Sequence, residues 1–267
     1  IGGSGFIGSK LIDFYKKKNF KIFSISLKKR DVKNYKNIKN FYFDISNKKK
    51  CINFFKKYNF DYVINLAGYV DHRSFYTKKN NIIESHLFGT LNTILYINRS
   101  TLKKYLYIGS SDEYGLNKSP QKETLREMPN SLYSFSKTAS THFLQMISRS
   151  ENFPTSIVRI FLTYGPGQKE NRFIPQIING CLKDLKFKTS SGKQIRDFCY
   201  IDDVVRAINM VLLSKKSIGE VYNIGSSKSI KIKKVVQIIK SIIKKGIPIY
   251  GSFNLRKNEN IKIISNI

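Results

Sequence analysis

Residues 2–8 read Gly2-Gly3-Ser4-Gly5-Phe6-Ile7-Gly8, and the fold is read outward from them. Glycines at 2, 5 and 8 form a G-x-x-G-x-x-G spacing. The first permits a tight turn, the second lets backbone approach a pyrophosphate, and the third lets the next helix pack against a sheet. That helix carries Leu11, Ile12, Phe14 and Tyr15 as an apolar stripe. Its N-terminus offers free N–H groups and a positive dipole end to phosphate. Ile1 stands where a buried strand should precede the loop, and no Met begins the chain. Both ends therefore read as cut from a longer polypeptide.

Strands are expected at 21–27, 39–45, 61–67 and 103–109, with helices after Ser46, over 80–99 and over 133–149. The run 61–67 (DYVINLA) is almost continuously apolar, as a parallel strand covered on both faces requires. Alternation of this kind predicts a doubly wound α/β sheet. Beyond Gly165-Pro166-Gly167 the rhythm loosens. Helices are expected at 173–183, 202–213 and 231–243, and strands at 154–161, 186–189, 198–200, 220–224 and 247–250. Residues 1–164 are thus expected to form a dinucleotide-binding domain. Residues 165–267 should form a smaller, interleaved substrate lobe.

The 267 residues suit one large domain or a domain with a lobe. There are 48 Lys and Arg against 18 Asp and Glu, a formal charge of +30. The basic residues fall in short local groups beside helical patterns, without a basic tail or aromatic-basic repeat, so nucleic acid is not the expected partner. No apolar run approaches membrane-spanning length. The three cysteines, Cys51, Cys181 and Cys199, have no metal-ligand spacing. No histidine cluster suggests a metal, and a cytoplasmic location is expected.

Nicotinamide sites of this architecture commonly end the second strand with a carboxylate for the ribose 2′-hydroxyl. Here that place is Ser26, followed by Lys28, Lys29 and Arg30. Missing acid beside cations favours NADP over NAD. Asp44, ending the next strand, either accepts from the adenine amine or caps the helix after it.

Two further stretches carry chemistry. Tyr133-Ser134-Phe135-Ser136-Lys137 is a Y-x-x-x-K, and Ser110-Ser111-Asp112-Glu113-Tyr114-Gly115 follows a strand. With the glycine loop they resemble the extended short-chain dehydrogenase/reductases, which act on nucleotide sugars. Asn65–Gly68, Tyr164–Gln168, Arg172–Pro175, Arg196–Phe198, Asp202–Val204 and Tyr222–Gly225 match in order, so the resemblance covers nearly the whole chain. It implies a Rossmann fold, a homodimer paired through helices 80–99 and 133–149, and cofactor contacts from Gly2, Gly5, Phe6, Ile7, Gly8, Ile45, Leu66, Ala67 and Gly68. Tyr133 and Lys137 share a helical face. A nearby ammonium lowers a phenol's pKa, so Tyr133 is expected to exchange the proton while hydride moves at the same carbon. Ser111 is expected to hold the substrate oxygen, and Lys137 the nicotinamide ribose.

Asp112 and Glu113 resemble the acid–base pair of 4,6-dehydratases, but Glu113 adjoins Tyr114 directly, leaving the loop one residue short. Leu162 stands where many epimerases of the family carry Asn. These departures favour a 4-ketoreductase that consumes its cofactor. A 4-epimerase or 4,6-dehydratase that recycles it is the alternative, and a non-catalytic dinucleotide-binding protein is a third reading. Substrate contacts are expected from His72, Arg172, Arg196 and Arg256, with a structural ion pair to Asp197 or Asp202 as the other reading of Arg196. His86 occupies a place where the family usually has Asn.

Overall fold

A computed structural model describes residues 1–28, 37–76, 81–255 and 259–267. The glycine loop enters helix α1 (Phe6–Tyr15), which is followed by β1 (Ile22–Ser26), β2 (Ile38–Tyr42), α2 (Lys48–Phe55) and β3 (Tyr62–Asn65). A π-helical turn (Glu84–Phe88) runs into α3 (Gly89–Tyr96), so the helix expected over 80–99 is continuous over 82–96 and carries a π-helical turn near its start. Next come β4 (Lys104–Ser110), a single 3₁₀ turn (Ser111–Tyr114), α4 (Leu132–Glu151) and β5 (Thr155–Ile160).

Strands β3, β4 and β5 pair in parallel. Strand β4 explains why the sheet must be covered twice. Its residues alternate between two cores: Tyr105 and Tyr107 pack with Phe54, Ile94 and Leu144, whereas Leu106 and Ile108 pack with Leu11, Val204 and Ile208. Successive strand side chains point to opposite faces, so helices are needed on both. Strands β1 and β2 form a separate parallel pair. Ile1 bridges toward it: its N-terminus donates to the Ile64 carbonyl, its own carbonyl accepts from Leu66 N, and Gly2 N donates to the Ile25 carbonyl.

The remaining elements are β6 (Leu162–Tyr164), α5 (Phe173–Leu182), β7 (Lys186–Ser190), β8 (Ile195–Tyr200), α6 (Ile201–Leu213), β9 (Val221–Ile224), β10 (Ser229–Lys231), α7 (Ile232–Ile243), β11 (Ile247–Phe253) and β12 (Lys262–Ile263). Strand β9 joins β5, and α6 covers one face of that same sheet. Strands β6, β10 and β12 all pair with β8, and β7 pairs with β11. A small third core of Ile177, Cys181 and Val236 lies between α5 and α7. Among the described residues no helix is long and apolar enough to cross a membrane.

Candidate active site

The glycine loop has the backbone its residues require. Gly2 has φ +82°, a region that side chains disfavour. A Cβ on Gly8 would collide with the Gly2 carbonyl oxygen. No side chain caps α1 at Gly5, so the helix end suits a diphosphate. Ser26 Oγ accepts from Ser4 N at 3.0 Å, which ties the end of β1 to the loop. Leu66 and Ala67 pass beside Gly2. These residues fit a dinucleotide: a close-approach loop, an uncapped helix end and a neutral β1 terminus. Phe6 and Ile7 are half-buried, and Lys28 is exposed. Arg30 and Arg256 lie outside the described residues.

Asp44 and Ile45 are placed differently from the other cofactor candidates. Asp44 Oδ1 accepts from Ser46 N at 2.9 Å, while Asn47 caps α2. The Ile45 side chain is buried against Gly89 and its carbonyl accepts from Asn92 and Cys51. That side chain faces the core, so it offers a cofactor no surface.

From the loop the chain leads to the catalytic candidates through Gly68, which lies against the His86 ring. That ring in turn meets the Tyr133 ring edge-on at 5.3 Å. His86 Nε2 lies 3.0 Å from the Tyr69 carbonyl, and burial together with the Lys137 charge pushes its pKa down to about 3. The imidazole is therefore neutral and braces the loop after β3.

Tyr133 is 6% exposed. Burial foremost, and then the charge of Asp112, push its phenol pKa up, while a hydrogen bond with the Ser110 side chain opposes that rise. Ser110, the residue before the expected Ser111, ends β4 and caps the 3₁₀ turn, and its side chain bears on the phenol. Ser111 is one residue further, buried inside the turn.

Glu113 is also corrected. Its Oε1 accepts from Ser110 N at 2.8 Å, and its Oε2 accepts from Thr141 Oγ1 at 2.8 Å and Arg159 Nε at 2.9 Å. It is fully buried with its oxygens committed, so it cannot reach a sugar.

The expected ammonium–phenol interaction is not what sets the phenol's acidity. Lys137 Nζ donates to the Ile108 carbonyl at 2.7 Å and stands 4.8 Å over the Tyr107 ring. Burial lowers its pKa to about 8, and the Glu113 charge opposes the fall.

At the mouth, His72 Nε2 lies 3.6 Å from Asp112 Oδ2, and the His72 ring meets Tyr133 edge-on at 5.7 Å. Arg172 is exposed at the start of α5, and its charge is felt at the Tyr133 phenol. Arg196 is placed against the diphosphate expectation. Its Nη1 donates to the Ile195 and Ile261 carbonyls, and its Nη2 pairs with Glu259 at 2.7 Å. It is 5% exposed. The pairing carboxylate is Glu259, neither Asp197 nor Asp202. Asp197 instead accepts from Ser226, Ser227 and Ser265.

Residues 1–225 match the model of the NAD dependent epimerase/dehydratase family. The chain belongs to that family. A dTDP-D-glucose 4,6-dehydratase of Dictyostelium discoideum is 32% identical over 89% of this chain, which spans only 61% of that relative. A UDP-glucuronate 4-epimerase of Thermodesulfobacterium geofontis is 27% identical over 91% of this chain and 80% of its own length. The crystal structure of a UDP-glucuronic acid 4-epimerase from Bacillus cereus, in complex with UDP-glucuronic acid and NAD, superposes with a TM-score of 0.88 at 24% identity. It covers the whole of this chain and 88% of its own. These relatives overturn the 4-ketoreductase reading.

Proposed function

We propose that this chain is a nucleotide-sugar epimerase or dehydratase in which NAD is reduced and reoxidised within one turnover. The observation that carries this is the Tyr133 phenol, set against the His72 ring that meets Asp112 at the end of β4 and joined to the glycine loop through His86 and Gly68. NAD, when bound, would supply the hydride acceptor and donor for the sugar carbon. In its phenolate form Tyr133 takes the proton of the hydroxyl on that carbon, and Ser110 is the hydroxyl available to hold the oxygen. Lys137, anchored on Ile108, is the cation available to the nicotinamide ribose. Arg172 is the cation available to the substrate near the mouth.

The Asp112–His72 pair favours the 4,6-dehydratase branch. Removing water from C5 and C6 of a 4-keto sugar needs a proton acceptor and donor besides Tyr133, and this pair stands beside it. The test is incubation with dTDP-D-glucose, UDP-glucuronate and UDP-glucose in the presence of NAD. Dehydration lowers the product mass by one water, whereas epimerisation leaves the mass unchanged and alters the proton spectrum. Reduced cofactor consumed in proportion to product would reject the reading.

Ser26 supplies no carboxylate to repel a 2′-phosphate, so we expect NADP to bind alongside NAD. Ser26→Asp should weaken NADP by roughly tenfold or more through charge repulsion while sparing NAD. Equal loss for both cofactors in a fluorescence titration would count against it.

A second copy of the chain is the proposed partner. Phe88, Leu95, Phe135 and Met146 are exposed apolar residues on the π-helical turn, α3 and α4. Leu95→Glu should convert a dimer to a monomer in light scattering. A wild-type protein already monomeric at high concentration would remove this element.

A further inference from the structure

We propose that Glu113, held by Arg159, is a positioning residue that fixes the end of β4, where Ser110 caps the turn leading to Asp112 and the Lys137 ammonium is tethered to Ile108. This rests on Tyr133 as the proton-transfer group. Three elements meet on one carboxylate. Its Oε1 holds Ser110 N at the tip of β4, while its Oε2 takes Thr141 Oγ1 from α4 and Arg159 Nε from β5. Gly109 leaves the room required, since a Cβ there would collide with Glu113 Oε1. Ser110 N is thereby fixed, and with it the direction of the Ser110 side chain.

Arg159 makes this carboxylate tolerable in the interior. It is fully buried, stacks 4.7 Å over the Tyr114 ring and also pairs with Glu127, which reaches the exposed His142 at 3.0 Å. One guanidinium thus faces two carboxylates beside the site. Around Lys137 stand Tyr107 on β4, His86 on the π-helical turn and Glu113 on the 3₁₀ turn, with Tyr133 and Thr141 one helical turn to either side. His86 is neutral and both tyrosines are protonated, so the anion facing the ammonium is Glu113. Its charge opposes the loss of protonation that burial would otherwise cause.

Two substitutions separate the two roles. Glu113→Gln keeps an acceptor for Ser110 N and removes the charge. Glu113→Asp keeps the charge and withdraws the acceptor by one methylene. The Lys137 titration is read from ¹³C-labelled lysine, as the resonance absent in Lys137→Arg. We expect its midpoint to fall by about one unit in E113Q and to stay near the wild-type value in E113D. The alkaline limb of the kcat profile should shift down with it in E113Q. In E113D kcat should fall at least tenfold with KM little changed. An unmoved Lys137 midpoint in E113Q, or an unaltered kcat in E113D, overturns the proposal. Should E113Q fail to fold, E113D decides alone. A wild type that turns over no sugar nucleotide refutes the proposed function, while the lysine titration still tests the charge effect.

Discussion

Tyr133→Phe is expected to bind NAD as the wild type does and to lose roughly 10²–10⁴-fold in kcat. The ring stays, so its edge-on contacts with His86 and His72 survive. Only the hydroxyl goes, and with it the group that exchanges a proton at the reacting carbon. Ser110 cannot replace it, because a serine hydroxyl is a far weaker acid than a phenol. Cofactor titration and steady-state kinetics on the same preparation check both halves. A kcat within a few-fold of wild type would move the proton transfer elsewhere, to Asp112 or His72.

The second large effect is on stability. Arg159→Met should destabilise the protein by about 3–5 kcal/mol, because it strands Glu113 as an unpaired buried charge. The guanidinium is 0% exposed and lies between Glu113 and Glu127. Joint replacement, Arg159→Met with Glu113→Gln, should recover much of that loss, since the fully buried Glu113 charge is gone while Glu127 keeps His142 as a partner. Urea denaturation of the two variants measures the difference. Equal stability for the single and double variants would mean that the charges are not coupled.

The sheet was legible in the sequence because its strands are short apolar runs between amphipathic helices. Parallel strands covered on both faces can hardly look otherwise. The π-helical turn inside the helix expected over 80–99 was not legible, because a single widened turn leaves no mark in the apolar spacing. The short strands β6, β10 and β12 were missed for a similar reason: each has three residues or fewer and exists only through pairing with β8. In the site, Tyr133 and Lys137 were singled out by their four-residue spacing taken together with the glycine loop and the family resemblance. Ser110 was not singled out, although the carboxylate three residues on, Glu113, is the partner of a capping box and marks Ser110 as the cap. Glu113 was read as catalytic because a lone sequence does not show that Arg159, 46 residues away, claims it. Arg196 was misread likewise, through an unforeseen Glu259.

Strand β4 is enclosed on both sides and ends at Ser110, with Lys137 tethered to Ile108 along its length. Amides in such a central strand exchange with solvent only when the whole molecule opens. The reactive groups are therefore anchored to the last part of the protein to come apart. Heat should abolish turnover and the cooperative melt together, without a prior stage in which a folded protein has already lost its chemistry.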